Sequence, residues 1–235
     1  PSLDRGPTGL LLQHQGAKVL VDGGSGTLQR LLEAGVDVRD LDAGVYSHRH
    51  VDHTGDLVPL LFALRVGPRN RDYPIVAGEG FEAFLEGLRG VYTTWIEGSN
   101  WTTRVTELSL EGPDEAPLPG GILLRTLPAN HKAGALHLRF EAGGRSIVFS
   151  GDTGPSEALI ELASGCDVLV CECAVPVPVD YGHLCPQEVR HIVQRSRPGR
   201  VVLTHLYDEV DPAAALATVA QAGVPVQRGR DGQVL

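Results

Sequence analysis

The stretch HRHVDH at residues 48–53 places four metal-binding side chains within six positions, directly after a short apolar run at 45–47. In an extended chain, positions 48 and 50 point the same way. A turn into the next helix would let Asp52 and His53 face the same cavity from the other side. Imidazole and carboxylate groups suit zinc, and two groups of ligands predict two ions roughly 3.5–4 Å apart. The alternative is a solvated polar loop that contains several histidines.

Apolar runs with strand or helix periodicity continue on both sides of this stretch. Strands are predicted near 10–13, 18–21, 45–47, 74–77, 104–110, 122–126, 136–141, 146–149, 168–171 and 201–204. Helices are predicted near 25–34, 54–64, 81–88, 156–163, 186–196 and 212–222. Because strands outnumber helices and include hairpin-like pairs, we predict an α/β fold with two sheets and helices packed outside them. No repeat or linker divides the sequence, so residues 1–235 are predicted to form a single domain.

The composition is typical of a globular protein and disfavours long nucleic acids as partners. Hydrophobic residues make up 42% and charged residues 21% of the 235 positions. The 20 Lys and Arg against 29 Asp and Glu give a formal charge of −9, which repels a polyanion. The longest apolar stretches, such as 57–64, fall short of the roughly 18 residues that a membrane span needs. We therefore expect a soluble protein that makes no membrane contact.

The four cysteines, at 166, 171, 173 and 185, are too few and too clustered for a secreted disulfide framework. A reduced compartment, and hence a cytoplasmic location, is the simpler expectation. The alternation of Cys171 and Cys173 favours a role as small core residues over metal binding. Isolated histidines outside every motif are expected at the surface or in packing: His14, His137 and His191.

The hexad resembles the His-x-His-x-Asp-His signature of the metallo-β-lactamase superfamily, whose fold is a four-layer αββα sandwich. The other motifs of that family follow in the right order. Asp22 after the apolar run 19–21 matches the first motif, His131 the third, Asp152 in FSGDTG (149–154) the fourth and His205 in VVLTH (201–205) the fifth. The resemblance spans about residues 9 to 206.

The resemblance implies a pair of zinc ions, with Mn²⁺ or Fe²⁺ as alternatives, held by seven side chains. His48, His50 and His131 are assigned to one ion, Asp52, His53 and His205 to the other, and Asp152 between them. A hydroxide bridging the two ions is a nucleophile at neutral pH, and the ions neutralise charge on the attacked phosphoryl or acyl group. Asp22 is expected to orient a ligand by hydrogen bonding without touching metal. Alternatively it is a turn aspartate before glycines.

Further segments resemble the branch that contains ribonuclease Z and its phosphodiesterase relatives. These are TGDL at 54–57 and PLLFAL at 59–64. Cys171-Glu172-Cys173-Ala174 stands where that branch has His-Glu-Ala-Thr, and His183-Leu184-Cys185 where it has His-Ser-Thr. The resemblance implies that Glu172 and His183 form a relay that reaches Asp52 and donates a proton to the leaving alkoxide. Alternatively, His183 is merely exposed in a Pro-rich loop.

One difference from ribonuclease Z narrows the range of expected substrates. Only 21 positions separate His131 from Asp152, which is enough for a hairpin, whereas true ribonuclease Z inserts its tRNA-gripping exosite arm there. A smaller ester is therefore favoured, such as a cyclic nucleotide, another phosphodiester or an aryl sulfate. The first strand and Gly-rich turn typical of such proteins are missing before Pro1, which leaves the edge of one sheet open.

The leading hypothesis is a dinuclear zinc-dependent hydrolase that acts on phosphodiester-type bonds of a small substrate. Alternatives are a ribonuclease Z-type tRNA 3′-end endonuclease with an arm borrowed from a partner subunit, an arylsulfatase or lactonase-like hydrolase, and a non-catalytic metal-binding module. A di-iron redox protein is weaker, because that branch has Glu where His50 stands and no flavin domain follows. The resemblance also implies a homodimer. Trp95, Trp101 and Tyr92 are expected to form an apolar wall over the metals, a core or an oligomer contact.

Overall fold

The structure is a computed structural model that describes residues 5–132 and 134–235. These residues form two compact units. The first extends to Leu108 and includes Pro117–Gly121 and Arg230–Leu235, and the second comprises Ser109–Ala116 and Ile122–Gly229. The single domain predicted over 1–235 stays a prediction.

The first unit is built on a five-stranded sheet in the order β1-β2-β3-β4-β5. The strands are β1 (Leu10–His14), β2 (Ala17–Val21), β3 (Ala43–Tyr46), β4 (Ile75–Gly78) and β5 (Val105–Leu108). β1 and β2 form an antiparallel hairpin, and the later strands run parallel to β2. The helices are α1 (Thr27–Glu33), α2 (Val51–Thr54), α3 (Leu57–Val66) and α4 (Phe81–Tyr92), followed by a 3-10 turn at Thr93–Ile96.

The core of the first unit forms around α3. Leu57, Leu60, Leu61 and Leu64 recur at helical spacing and are fully buried. They belong to the same buried cluster as Tyr46, Tyr73 and Phe81 from neighbouring elements. Burying a leucine side chain stabilises a fold by about 1.5–3 kcal/mol, so this face fixes the position of the helix that follows the hexad.

The single helix predicted over 54–64 is wrong at its start, because the structure has two helices there. α2 begins at Val51 inside the hexad, and Gly55 and Asp56 separate it from α3. The Asp56 carboxylate accepts hydrogen bonds from the backbone N–H groups of Gly26 (3.0 Å) and Leu28 (2.9 Å) at the start of α1. This long-range anchor has no local signature in the sequence.

The second unit is built on a seven-stranded sheet in the order β12-β11-β10-β9-β8-β7-β6. The strands are β6 (Asp114–Leu118), β7 (Ile122–Pro128), β8 (Leu136–Ala142), β9 (Arg145–Phe149), β10 (Val168–Glu172), β11 (Val201–Thr204) and β12 (Val226–Arg228). β7, β8 and β9 form an antiparallel meander, and β9 to β12 run parallel. The helices are α5 (Glu157–Leu162), α6 (Pro186–Ser196) and α7 (Pro212–Ala220).

Local chemistry sets the boundaries of the helices in this unit. Pro186 occupies the first turn of α6, and the Glu188 carboxylate accepts the backbone N–H of Cys185 at 2.9 Å. The Ser156 hydroxyl accepts the N–H of Leu159 at the start of α5. Cys171 and Cys173 are fully buried in the apolar core, as predicted. Within 5–132 and 134–235, no helix combines the length and apolar character needed to cross a bilayer.

Candidate metal centre

The hexad joins the end of β3 to the start of α2, and this junction clusters its four donors. The Nε2 atom of His48 lies 3.1 Å from Nδ1 of His50, and the ring centroids of His48 and His53 are 4.1 Å apart. Nε2 of His53 lies 3.8 Å from a carboxylate oxygen of Asp52. His48 and His53 are buried, whereas His50 is exposed and Asp52 is half-buried. The first unit therefore presents three imidazoles and one carboxylate in one cluster.

Asp22 stabilises this cluster through hydrogen bonds to Ser47 and His53. It directly follows β2, adopts the left-handed conformation (φ 54°) that is rare outside glycine, and is fully buried. Its carboxylate accepts the backbone N–H and the hydroxyl of Ser47, each at 2.7 Å, and the Nδ1–H of His53 at 2.7 Å. With Nδ1 donating, Nε2 of His53 is left as the ring's lone-pair atom, which is the tautomer that a metal ligand needs.

Gly24 lets the loop after β2 approach the hexad closely. A Cβ atom at Gly24 would collide with the backbone carbonyl oxygen of Asp52. The neighbouring Gly23 donates its N–H to the carbonyl of His53 at 2.7 Å. Gly24 is therefore a packing requirement of the hexad, beyond its role in a turn.

The second unit carries its donors just beyond the ends of three strands. His131 follows β7, Asp152 follows β9 and His205 follows β11. A carboxylate oxygen of Asp152 lies 3.4 Å from Nε2 of His205 and 4.0 Å from Nε2 of His131. β7, β9 and β11 alternate with β8 and β10 in the sheet, and their ends thus bring together residues that are far apart in the sequence.

A backbone contact orients His131, and an unusual backbone conformation presents His205. Nδ1 of His131 donates to the carbonyl of Gly182 at 2.8 Å, which leaves Nε2 as the lone-pair atom. His205 adopts a left-handed conformation (φ 53°) immediately after β11. Strained backbone of this kind persists where the surrounding structure enforces it, and it is concentrated at functional sites.

Glu172 and His183 form a hydrogen-bonded pair in the same unit. Glu172 ends β10, and its carboxylate accepts Nδ1–H of His183 at 3.1 Å and the backbone N–H of Thr153 at 2.6 Å. Burial lowers the pKa of His183, but the hydrogen bond and charge of Glu172 outweigh it, so the pKa is raised above 6.5. His183 is 7% exposed, so the alternative of a merely exposed loop histidine is wrong.

The Glu172–His183 pair adjoins the second-unit donors. The ring of His183 stacks on that of His205, with centroids 5.6 Å apart and planes at 20°. Glu172, His183 and His205 offer ligand atoms within 4.8 Å of one another. The hydroxyl of Tyr207 lies 3.4 Å from Nε2 of His183, on the opposite edge of the ring from Glu172. Tyr207 was not predicted from the sequence, because only the left-handed turn at His205 brings its ring to His183.

His137 has a packing role, which is one of the two roles expected for the isolated histidines. It is fully buried, donates from Nδ1 to the Ser150 carbonyl at 2.7 Å and contacts the Ser156 hydroxyl through Nε2 at 2.9 Å. Burial lowers its pKa to about 4. Through its contacts with Ser150 and Ser156, His137 stabilises the chain segment around Asp152. His191, by contrast, is exposed and His14 is half-buried.

The donors fit a divalent metal. Imidazole and carboxylate are the ligands that zinc and similar ions take in proteins, and His/Asp clusters of this kind could hold such an ion. His53 and His131 each bind an acceptor through Nδ1 and present Nε2, as metal-ligating histidines do.

Residues 17–206 match the family described as the β-lactamase superfamily domain, and the chain belongs to this family. The match covers all of the described donors and the Glu172–His183 pair. Membership implies divalent metal binding, and the five motifs expected from the sequence all fall inside the matched range.

Known proteins of similar sequence and structure agree with this family. Ribonuclease Z of Methanopyrus kandleri is 28% identical over 259 residues, covering 99% of this chain and 92% of its own. The solved structure of YhfI, a metallo-β-lactamase fold protein of Bacillus subtilis, has a TM-score of 0.86 at 24% identity and covers 100% of this chain and 93% of its own. Human tRNase Z, short form, has a TM-score of 0.79 at 18% identity, covering 100% and 94%.

These comparisons confirm the predicted fold class, the four-layer αββα fold of the metallo-β-lactamase superfamily, with two sheets flanked by helices. They also confirm the resemblance to ribonuclease Z and its relatives. Together with the donor clusters they support a metal-dependent hydrolase.

Proposed function

We propose that the protein is a dinuclear zinc hydrolase that cleaves phosphodiester-type bonds of a small substrate. The observation that carries the proposal is that each unit presents a cluster of His and Asp donors, with imidazoles oriented through Nδ1. His48, His50 and His131 are the proposed ligands of one ion, Asp52, His53 and His205 those of the other, with Asp152 shared. Mn²⁺ or Fe²⁺ are the alternative ions.

The ions, when bound, supply an activated nucleophile at neutral pH and positive charge to stabilise the attacked phosphoryl group. The remaining tasks belong to the chain. Asp22 holds the imidazole of His53 through a 2.7 Å hydrogen bond. Glu172 holds Nδ1 of His183, so that Nε2 is the atom from which a proton passes to the leaving oxygen. We assign Asp52 a share of this proton handling.

The interval between His131 and Asp152 supports a small substrate. Its described residues form β8, β9 and the short turn at Gly143 and Gly144, with no room for an RNA-gripping arm. The formal charge of −9 opposes binding of a long polyanion. A cyclic nucleotide or a phosphodiester of similar size fits both observations.

Metal analysis and a hydrolase screen test the proposal together. We expect two ions per chain and turnover of bis(p-nitrophenyl) phosphate or cyclic nucleotides above that of phosphonates, aryl sulfates and lactones. Asp152→Asn should lose nearly all turnover, whereas Asp208→Asn, at an exposed aspartate of the same unit, should keep it. Faster turnover of aryl sulfates or lactones would favour those alternatives. Intact metal binding without turnover of any ester would indicate a non-catalytic module.

A tRNA 3′-end endonuclease is the second candidate function. This function is favoured by the similarity to ribonuclease Z of Methanopyrus kandleri, which extends over nearly the whole chain. Cleavage of a tRNA precursor at rates matching those on bis(p-nitrophenyl) phosphate would support it. Failure to cleave the precursor while hydrolysing the small ester would exclude it.

We also propose a homodimer, formed through an exposed apolar patch on the first unit. This α3–α4 patch consists of Phe62 on α3, Val91 and Tyr92 on α4, and Trp95, and it lines a groove of about 640 Å³. The rings of Phe62 and Trp95 lie 6.1 Å apart, and Trp95 is 60% exposed. Trp101, in contrast, is buried in the core. Large exposed apolar patches mark interaction sites. In a symmetric dimer the same patch of a second copy would cover this one.

A cytoplasmic location is proposed on the cysteines. All four are buried and free. Burial raises the pKa of Cys166 to about 11 and that of Cys173 to about 12, which keeps both thiols protonated and unreactive. A reducing compartment suits such residues.

A further inference from the structure

Two tyrosines adjoin the ring of His183, and one of them, Tyr207, reaches the ring nitrogen that does not bind Glu172. The ring centroid of Tyr207 lies 5.5 Å from that of His183 at an interplanar angle of 66°, and the centroid of Tyr181 lies 5.9 Å away at 80°. Both rings therefore meet the imidazole edge-on. Only 5% of the chain is aromatic and only five residues are tyrosine, so two tyrosines around one imidazole are a notable concentration.

The backbone holds both tyrosines in place. Tyr181 precedes Gly182, which adopts a positive φ of 80° and is bound through its carbonyl to Nδ1 of His131. Tyr207 follows the left-handed turn at His205 and donates its backbone N–H to the carbonyl of Ala174 at 3.3 Å. The rings are thus carried by segments that also position metal-binding histidines.

Both rings remain accessible. Tyr207 is 41% exposed and Tyr181 is 56% exposed, although neighbouring Leu184 and Leu206 are buried. Exposed aromatic faces beside a reactive group are suited to stack on a planar ring, which stabilises binding independently of hydrogen-bond pattern.

We propose that Tyr207 and Tyr181 form an aromatic subsite for the leaving part of the ester, so that the substrate carries a planar ring there. This inference rests on the proposed function, in which Nε2 of His183 protonates the leaving oxygen. Because the hydroxyl of Tyr207 lies 3.4 Å from that nitrogen, a leaving oxygen at Nε2 also adjoins the Tyr207 side chain. The ring belongs to a nucleobase or to a simple aryl group.

Two pairs of product analogues test the inference by calorimetric measurement of Kd on the metal-loaded protein. Phenylphosphonate is compared with methylphosphonate, and adenosine 5′-monophosphate with ribose 5-phosphate. We expect the ring-bearing member to bind about tenfold more tightly in at least one pair, at the lower end of what stacking supplies. Discrimination in the nucleotide pair alone identifies a nucleobase, and discrimination in the phosphonate pair identifies an aryl group.

Matched variants assign the discrimination to the tyrosines. Tyr207→Leu and Tyr181→Leu should each reduce it, and the double variant should abolish it. Tyr207→Phe, which keeps the ring, should preserve it. Val177→Ala, at an exposed residue of the loop that carries Tyr181, should leave the discrimination unchanged. Because the tyrosines are half-exposed, these changes leave the core intact.

Equal binding within both pairs, or discrimination that survives the double leucine variant, would overturn the inference. If that result accompanies turnover of phosphodiesters, the proposed function stands and only the aromatic subsite fails. If no analogue binds and no phosphodiester is hydrolysed, both fail together.

Discussion

Replacing His137 by glutamine should remove a part of the stability that depends on pH. His137 is fully buried, and the partners of its ring nitrogens are the Ser150 carbonyl and the Ser156 hydroxyl, neither of which titrates near neutrality. Burial lowers its pKa from 6.5 to about 4. The unfolded chain therefore takes up a proton below about pH 6.5, whereas the folded protein does so only below about pH 4.

The sign and the size of the effect follow from these two values. Between pH 6.5 and 4 the unfolded state binds more protons, so the stability contributed by neutral His137 is fully present above pH 6.5 and is lost as the pH falls. At about 1.36 kcal/mol for each tenfold difference in proton affinity, the loss amounts to about 3 kcal/mol. The glutamine amide can still donate to Ser150 but does not titrate.

Urea-induced unfolding at several pH values between about 4 and 7 measures this effect. The difference in unfolding free energy between the native chain and His137→Gln should fall by about 3 kcal/mol as the pH decreases over that range. The metal ligands are common to both proteins, so their protonation cancels in the difference. His191→Gln, at an exposed residue of α6, is the control. A difference for His137→Gln that is the same at every pH would refute the reasoning.

Three further changes follow from the structure. Asp22→Asn should weaken metal affinity by about 10–100-fold without loss of the fold, because the hydrogen bond that orients His53 is impaired. Equilibrium dialysis measures the metal affinity, and an unchanged affinity would contradict this prediction. His183→Ala should keep the metals and lose turnover chiefly with poor leaving groups; equal losses across a leaving-group series would contradict the acid role. Phe62→Glu should convert a dimer to a monomer, as measured by light scattering, whereas Leu32→Glu, at an exposed leucine of α1, should leave the dimer intact. A dimer that survives Phe62→Glu would exclude the α3–α4 patch as the dimer interface.

Much of the fold could be predicted because local patterns and tertiary structure agree. α6 begins and ends where proline and apolar spacing placed it, and β11 matches its predicted range. β6 and β12 were not predicted. β6 lies at a sheet edge and contains acidic residues and Pro117, which suit an edge better than a sheet interior. β12 has only three residues and exists through its pairing with β11.

The candidate site was predictable where chemistry is concentrated in sequence. The hexad is dense enough to be recognised without a structure, and Asp152 and His205 stand in motifs at strand ends. Tyr207 and Tyr181 carry no such pattern, because only the turns at His205 and Gly182 bring their rings to His183. The support that His137 gives to Ser150 is also invisible in the sequence, since it depends on a contact between residues 13 positions apart.

The central proposal is that seven His and Asp side chains bind two divalent ions. Anomalous diffraction at the zinc absorption edge, from crystals of the zinc-loaded protein, tests it most directly. The account predicts two zinc peaks, one bound by His48, His50 and His131, the other by Asp52, His53 and His205, with Asp152 touching both. A single peak, or zinc bound by other residues, would contradict it.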